Sequence, residues 1–124
     1  WNPKVVILDE PTIGQDYQQK EKLRQFIVQM NAQGKTVVIV THDVEFVAEC
    51  NPRVMLMNDG RVTADGEAKK ILTNTELVAQ ASIVPPQITQ IFLGLTELGL
   101  PTDLIDVHEA RKALLDHWEE GAKP

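Results

Sequence analysis

The chain has 124 residues, 43% hydrophobic and 24% charged, which fits one globular domain and excludes a disordered tail or a repeat array. Twelve Lys and Arg against eighteen Asp and Glu leave a net charge of −6, which argues against a broad nucleic-acid-binding face. The single cysteine, Cys50, excludes an internal disulfide framework and fits a reducing cytosol. No apolar run approaches the ~20 residues of a membrane-spanning helix, and none resembles a signal peptide. The chain opens at Trp1, without an initiator Met and just before an apolar run, so its beginning reads as cut.

Val5-Val6-Ile7-Leu8 is β-branched and unalternated, which predicts a strand buried on both faces of a parallel sheet. It runs into Asp9-Glu10-Pro11-Thr12 and a loop containing Gly14 and Asp16. From about Tyr17 to Asn31 the period changes. Leu23, Phe26, Ile27 and Met30 recur at helical spacing, with Lys20, Glu21, Arg24 and Gln25 elsewhere. Gly34 is placed to close this helix in the left-handed conformation. A second run, Val37-Val38-Ile39-Val40, ends in Thr41-His42-Asp43. Strand, helix, strand is a βαβ unit, so the strands should lie parallel with a right-handed crossover. Asp43 can cap a short helix to about Cys50 that buries Val44 and Val47. Arg53 to Asn58 and Arg61 to Asp65 flank Asn58-Asp59-Gly60, a strong hairpin signal.

Beyond Gly66 the pattern is helical. Glu67 to Leu72 makes one short piece, and Thr73-x-x-Glu76 has capping-box spacing for a second, running towards Ser82. Pro85-Pro86 interrupts the chain and sets Pro86 near the first turn of a helix carrying Ile88, Ile91, Phe92 and Leu95. That stripe reads as core, with a partner surface as the alternative. Leu98-Gly99-Leu100-Pro101 stops it. Asp106-x-x-Glu109 can cap a last helix that buries Ala110, Ala113, Leu114 and Trp118, and Glu119 to Pro124 is expected to fray.

Ligands of open parallel sheets gather outside the carboxyl ends of the strands. Both apolar runs deliver polar residues at that edge: Asp9 and Glu10 from one, His42 and Asp43 from the other. Asp9 can hold Mg²⁺ through its water shell, and Glu10 can polarise a water attacking a phosphate. His42 can donate a hydrogen bond to a terminal phosphate oxygen. Each alone has a plainer reading, as solvated helix-entry charge or a surface histidine; their common position at two strand ends favours chemistry. His108 and His117 lack the spacing of a metal pair and read as surface residues. Cys50 has no basic neighbour in sequence and reads as packing.

Val5 to Thr12 resembles the Walker B motif of ATP-binding-cassette (ABC) ATPases. Ile13-Gly14-Gln15-Asp16 sits where that family has its D-loop, and Val37 to Asp43 is similar to its strand and switch-histidine loop. Val54 to Val62, followed by Gly66, resembles the hairpin after the switch in ABC importers. The implied fold is α/β, the C-terminal part of a P-loop NTPase (ABC ATPase) domain. It comprises a parallel βαβ core, a β-hairpin and C-terminal helices, with residues 1–72 as core and 73–124 as helical extension. The resemblance implies ATP and Mg²⁺ as cofactors: Asp9 assists Mg²⁺, Glu10 is the general base, His42 senses the γ-phosphate, and Asp16 communicates across a dimer. Glu45 to Cys50 and Val84 to Thr89 are similar to ATPases of energy-coupling-factor importers for cobalt, nickel or vitamins, in which C-terminal helices help two ATPases pair. The D-loop departs at Ile13 and Gln15 from the usual pattern and keeps Asp16.

The implied partners are a second ABC ATPase domain, in a homo- or heterodimer, and transmembrane transporter subunits, with no nucleic acid. The implied location is the cytoplasmic face of the membrane. No Gly-x-x-x-x-Gly-Lys-[Ser/Thr] phosphate loop and no Leu-Ser-Gly-Gly-Gln signature occurs; both are expected upstream of Trp1. These residues alone are therefore expected to have negligible ATPase activity, and their uncovered strand pair to favour self-association. The alternatives are a non-catalytic dimerisation or binding module, a pseudo-ATPase, or a soluble ABC ATPase of DNA repair or translation.

Overall fold

Both apolar runs become strands. In the computed structural model, which describes residues 1–123, β1 (Val5–Asp9) pairs in parallel with β2 (Thr36–Val40), in a register running from Val5 opposite Thr36 to Asp9 opposite Val40. Between them runs α1 (Tyr17–Ala32), which packs on β2. Its end is built as the sequence predicts. Gly34 takes φ +79°, its N–H donates to Asn31 O at 2.9 Å, and Lys35 N donates to Met30 O at 3.1 Å. This pair of bonds is a Schellman motif, and it needs a residue tolerant of positive φ.

The burial of the strands corrects the sequence reading. Val6, Leu8, Val37 and Ile39 are half-buried, whereas Val5, Ile7, Val38 and Val40 are exposed, Ile7 at 68%. An unalternated β-branched run suits cover on both faces, and the described residues supply it on one. On α1, Met30 is buried and Leu23 and Ile27 half-buried, but Phe26 is exposed.

Residues 1–46 form one compact unit and the chain from Val47 onward a second. The helix α2 (Val44–Cys50) spans that boundary, capped by Asp43, whose Oδ1 accepts from Phe46 N at 3.1 Å. Its most buried residues are Phe46 and Ala48, not the expected Val44 and Val47.

In the second unit, β3 (Arg53–Asn58) and β4 (Arg61–Glu67) are antiparallel, with a bulge at Leu56/Met57. Asp59 and Gly60 join them at φ +49° and +71°, the all-positive pattern of a type I′ turn. Next come α3 (Ala68–Leu72) and α4 (Thr75–Gln80). The expected cap moves by one residue. Asn74 caps α4, accepting from Leu77 N, while the Thr73 hydroxyl donates to Lys69 O at the end of α3.

Pro86 precedes α5 (Gln87–Leu93), and a 3-10 turn (Thr96–Leu98) leads to α6 (Val107–Gly121), capped by Asp106. Phe92, Leu100, Leu104 and Ala110 form a buried cluster, with Ile88, Leu95 and Ala113 packed against it. Ile91, Leu114 and Trp118 do not join it; they are exposed, Trp118 at 80%. The expected fraying is also displaced, because α6 stays helical through Gly121; Pro124 lies outside the described residues. Among the described residues no helix is long and apolar enough to cross a membrane.

Candidate active site

The parallel register carries the two loops to one edge. Beyond Asp9 and Val40 the ladder gains one further bond, from Glu10 N to Val40 O at 2.7 Å. Glu10 therefore leaves the strand fixed, at φ +46°. A non-glycine residue holds such a backbone at a cost of about 1–3 kcal/mol, and only when its surroundings impose it.

The side-chain bonds supply that constraint. His42 Nδ1 lies 2.6 Å from Glu10 Oε1, and the Thr41 hydroxyl donates to Glu10 Oε2 at 3.2 Å. Both carboxylate oxygens are thus engaged from the opposite strand end. Thr41 Oγ1 also accepts from Asp43 N at 3.0 Å, which fixes the hydroxyl proton towards Glu10. The Glu10 side chain is 26% exposed and the His42 side chain 80%, so the carboxylate is sheltered and the imidazole open.

A second layer lies behind them. Lys20 Nζ donates to Asp43 Oδ2 at 2.6 Å, between side chains 30% and 19% exposed. Burial pushes the Asp43 carboxyl up, but hydrogen bonds from Lys20, from Phe46 N–H and from the buried Thr12 outweigh it and hold the group below the usual carboxylate range.

The four residues singled out from the sequence meet different fates. Glu10 and His42 come into direct contact. Asp9 ends β1, exposed, its carboxylate without a hydrogen bond or ion pair among the described residues. An open carboxylate one residue before Glu10 fits a share in Mg²⁺, which takes one or two carboxylates and keeps several waters. Asp16 sits at the start of α1 in a reciprocal capping box: its Oδ1 accepts from Gln19 N at 2.8 Å, and Gln19 Oε1 accepts from Asp16 N at 3.0 Å. Thr41, Thr12 and Lys20 were not singled out. Thr41 was readable from register alone, since pairing Asp9 with Val40 sets Glu10 beside Thr41; nothing local marks Lys20. The whole arrangement is an open edge. A shallow cleft of about 410 Å³ lies elsewhere, lined by Arg53 and Lys69 among others.

No protein-family model matches the chain. CbiO1 of Clostridium perfringens, part of the ABC transporter complex CbiONQ, superposes with a TM-score of 0.55 at 33% identity, over 78% of this chain and 35% of that one. The chain matches the C-terminal part of an ABC ATPase domain. Two relatives are named as ABC transporter ATP-binding proteins. One, from C. perfringens, is 39% identical over 84% of this chain and 18% of its own length. The other, from Methanosarcina mazei, is 35% identical over 93% of this chain and 20% of its own length. This ABC ATPase segment thus spans about a fifth of the curated relatives it matches.

Proposed function

We propose that the chain works as part of the ATP-hydrolysing subunit of a membrane importer, of the energy-coupling-factor type that moves a metal ion or vitamin. The observation that carries this reading is the 2.6 Å contact between Glu10 and His42, brought from two strand ends to one edge. Glu10 is the general base: a sheltered carboxylate, oriented through both oxygens, suited to take a proton from an attacking water. With both ring nitrogens protonated, His42 holds that carboxylate through Nδ1–H and donates through Nε2–H to a terminal phosphate oxygen. Asp9 meets Mg²⁺ through the metal's water shell, and Asp16 lies at the contact with a second ATPase domain. Mg²⁺, when bound with ATP, supplies charge neutralisation on the phosphates. The chain's own share is positioning and electrostatics rather than covalent chemistry.

On this reading residues 1–72 are the later part of the catalytic core and 73–124 a helical extension, working at the cytoplasmic face of the membrane against transmembrane subunits. The chain alone, without a phosphate-loop motif, does not turn over ATP. The likeness to CbiO1 and to the ATP-binding relatives supports the family part of the reading. The test is Glu10→Gln in the full-length protein that carries this segment. ATP turnover is expected to fall about 1,000-fold or more, with nucleotide binding retained. Normal turnover would remove Glu10 as the base.

A further inference from the structure

We propose that Lys20 is a positioning residue of this hydrolytic site: one turn into α1 it fixes Asp43, and through Asp43 and Thr41 it sets the Glu10 carboxylate and its contact with His42. The inference deepens the ATPase reading above and rests on it.

The path is continuous. Lys20 Nζ donates to Asp43 Oδ2 (2.6 Å), Asp43 N to Thr41 Oγ1 (3.0 Å), and Thr41 Oγ1 to Glu10 Oε2 (3.2 Å). Glu10 Oε1 closes it on His42 Nδ1 at 2.6 Å. The first bond joins segments 23 residues apart in sequence, so it is tertiary and holds the loop that carries His42 against α1. Asp43 has little freedom. Its Oδ1 is taken by Phe46 N and its Oδ2 by Lys20.

Its side chain is only 19% exposed, and a sheltered carboxylate stripped of its cation turns towards water. That movement would carry the Asp43 N–H away from Thr41 and free the hydroxyl to rotate off Glu10. The same helix end bears Asp16 at its cap, so α1 touches both loops of the site. Among the described residues Lys20 makes no hydrogen bond or ion pair with Glu10 or His42, and it acts through Asp43.

The test is steady-state ATP turnover by the full-length protein carrying this segment. Lys20→Gln and Asp43→Asn should each lower kcat about 10- to 100-fold while KM for ATP stays within about twofold. Lys20→Arg should restore most of kcat. The double variant should be no worse than Asp43→Asn, because a serial link breaks only once. Unchanged kcat per folded molecule, a rise in KM alone, or losses that multiply in the double variant would overturn the proposal. If Lys20→Gln does not fold, Asp43→Asn carries the same expectation and the same power to refute. Glu10→Gln run alongside separates the two claims. If it keeps turnover, Glu10 is not the base and this inference falls with that assignment; if it is dead while Lys20→Gln is normal, only the role of Lys20 fails.

Discussion

The two units are held together by different means. From Val47 onward apolar burial dominates: Phe92, Leu100, Leu104 and Ala110 close one cluster, and Ala68, Ile71, Leu72 and Val78 are buried along α3 and α4. Residues 1–46 bury only Thr12, Met30 and Phe46, and leave one face of the strand pair open. Their loops are ordered by directional bonds instead: Asp16 with Gln19, Lys20 with Asp43, Thr41 and His42 with Glu10. Substitutions in the second unit should therefore register as stability, and in the first as geometry at the polar edge.

The largest effect tests the apolar side. Phe92→Ala should cost about 3–5 kcal/mol, because the whole ring is buried. Hydrogen exchange should show the loss from Val47 onward, with residues 1–46 unchanged. If both units exchange faster together, the contrast between them is broken.

The next effect is acid. Asp43 titrates below its ordinary range in the folded protein, so its contribution is fully present above the unfolded carboxylate value of about 3.9 and disappears as pH falls through the lower folded value. On acidification the loop at 41–46 should loosen before the Phe92 cluster does, followed by NMR. Asp43→Asn should erase that step; an identical acid response in the variant would show that another group controls it.

The smallest effect concerns the open face. Ile7→Thr should change the stability of this chain by no more than about 0.5 kcal/mol, since the side chain is exposed and threonine suits a strand. A loss above about 1 kcal/mol in chemical denaturation would mean that this face is packed in solution.

The skeleton was legible because it is written in local patterns. The change of period between Leu8 and Tyr17, the glycine after α1, and Asn58-Asp59-Gly60 each specify an element with little help from the rest of the chain. The pairing of Glu10 with His42 followed once two strands were placed in parallel. What the patterns could not carry was choice between near-equals. Thr73 and Asn74 both cap helices, and only the geometry assigns them to different ones. Ile91, Leu114 and Trp118 have core chemistry at core spacing, yet the cluster closes on Phe92 and Ala110 without them. Lys20 looked like any solvated charge on an amphipathic helix, because its partner comes from the next strand–helix loop.

The backbone at Glu10 has one more consequence. At φ +46° the residue that folds with least strain is glycine, and any side chain there is kept at the expense of thermodynamic robustness. Screening variants for heat resistance alone would enrich replacements at this position and discard the carboxylate in the process. If Glu10 is the base proposed above, robustness and hydrolysis compete at a single codon.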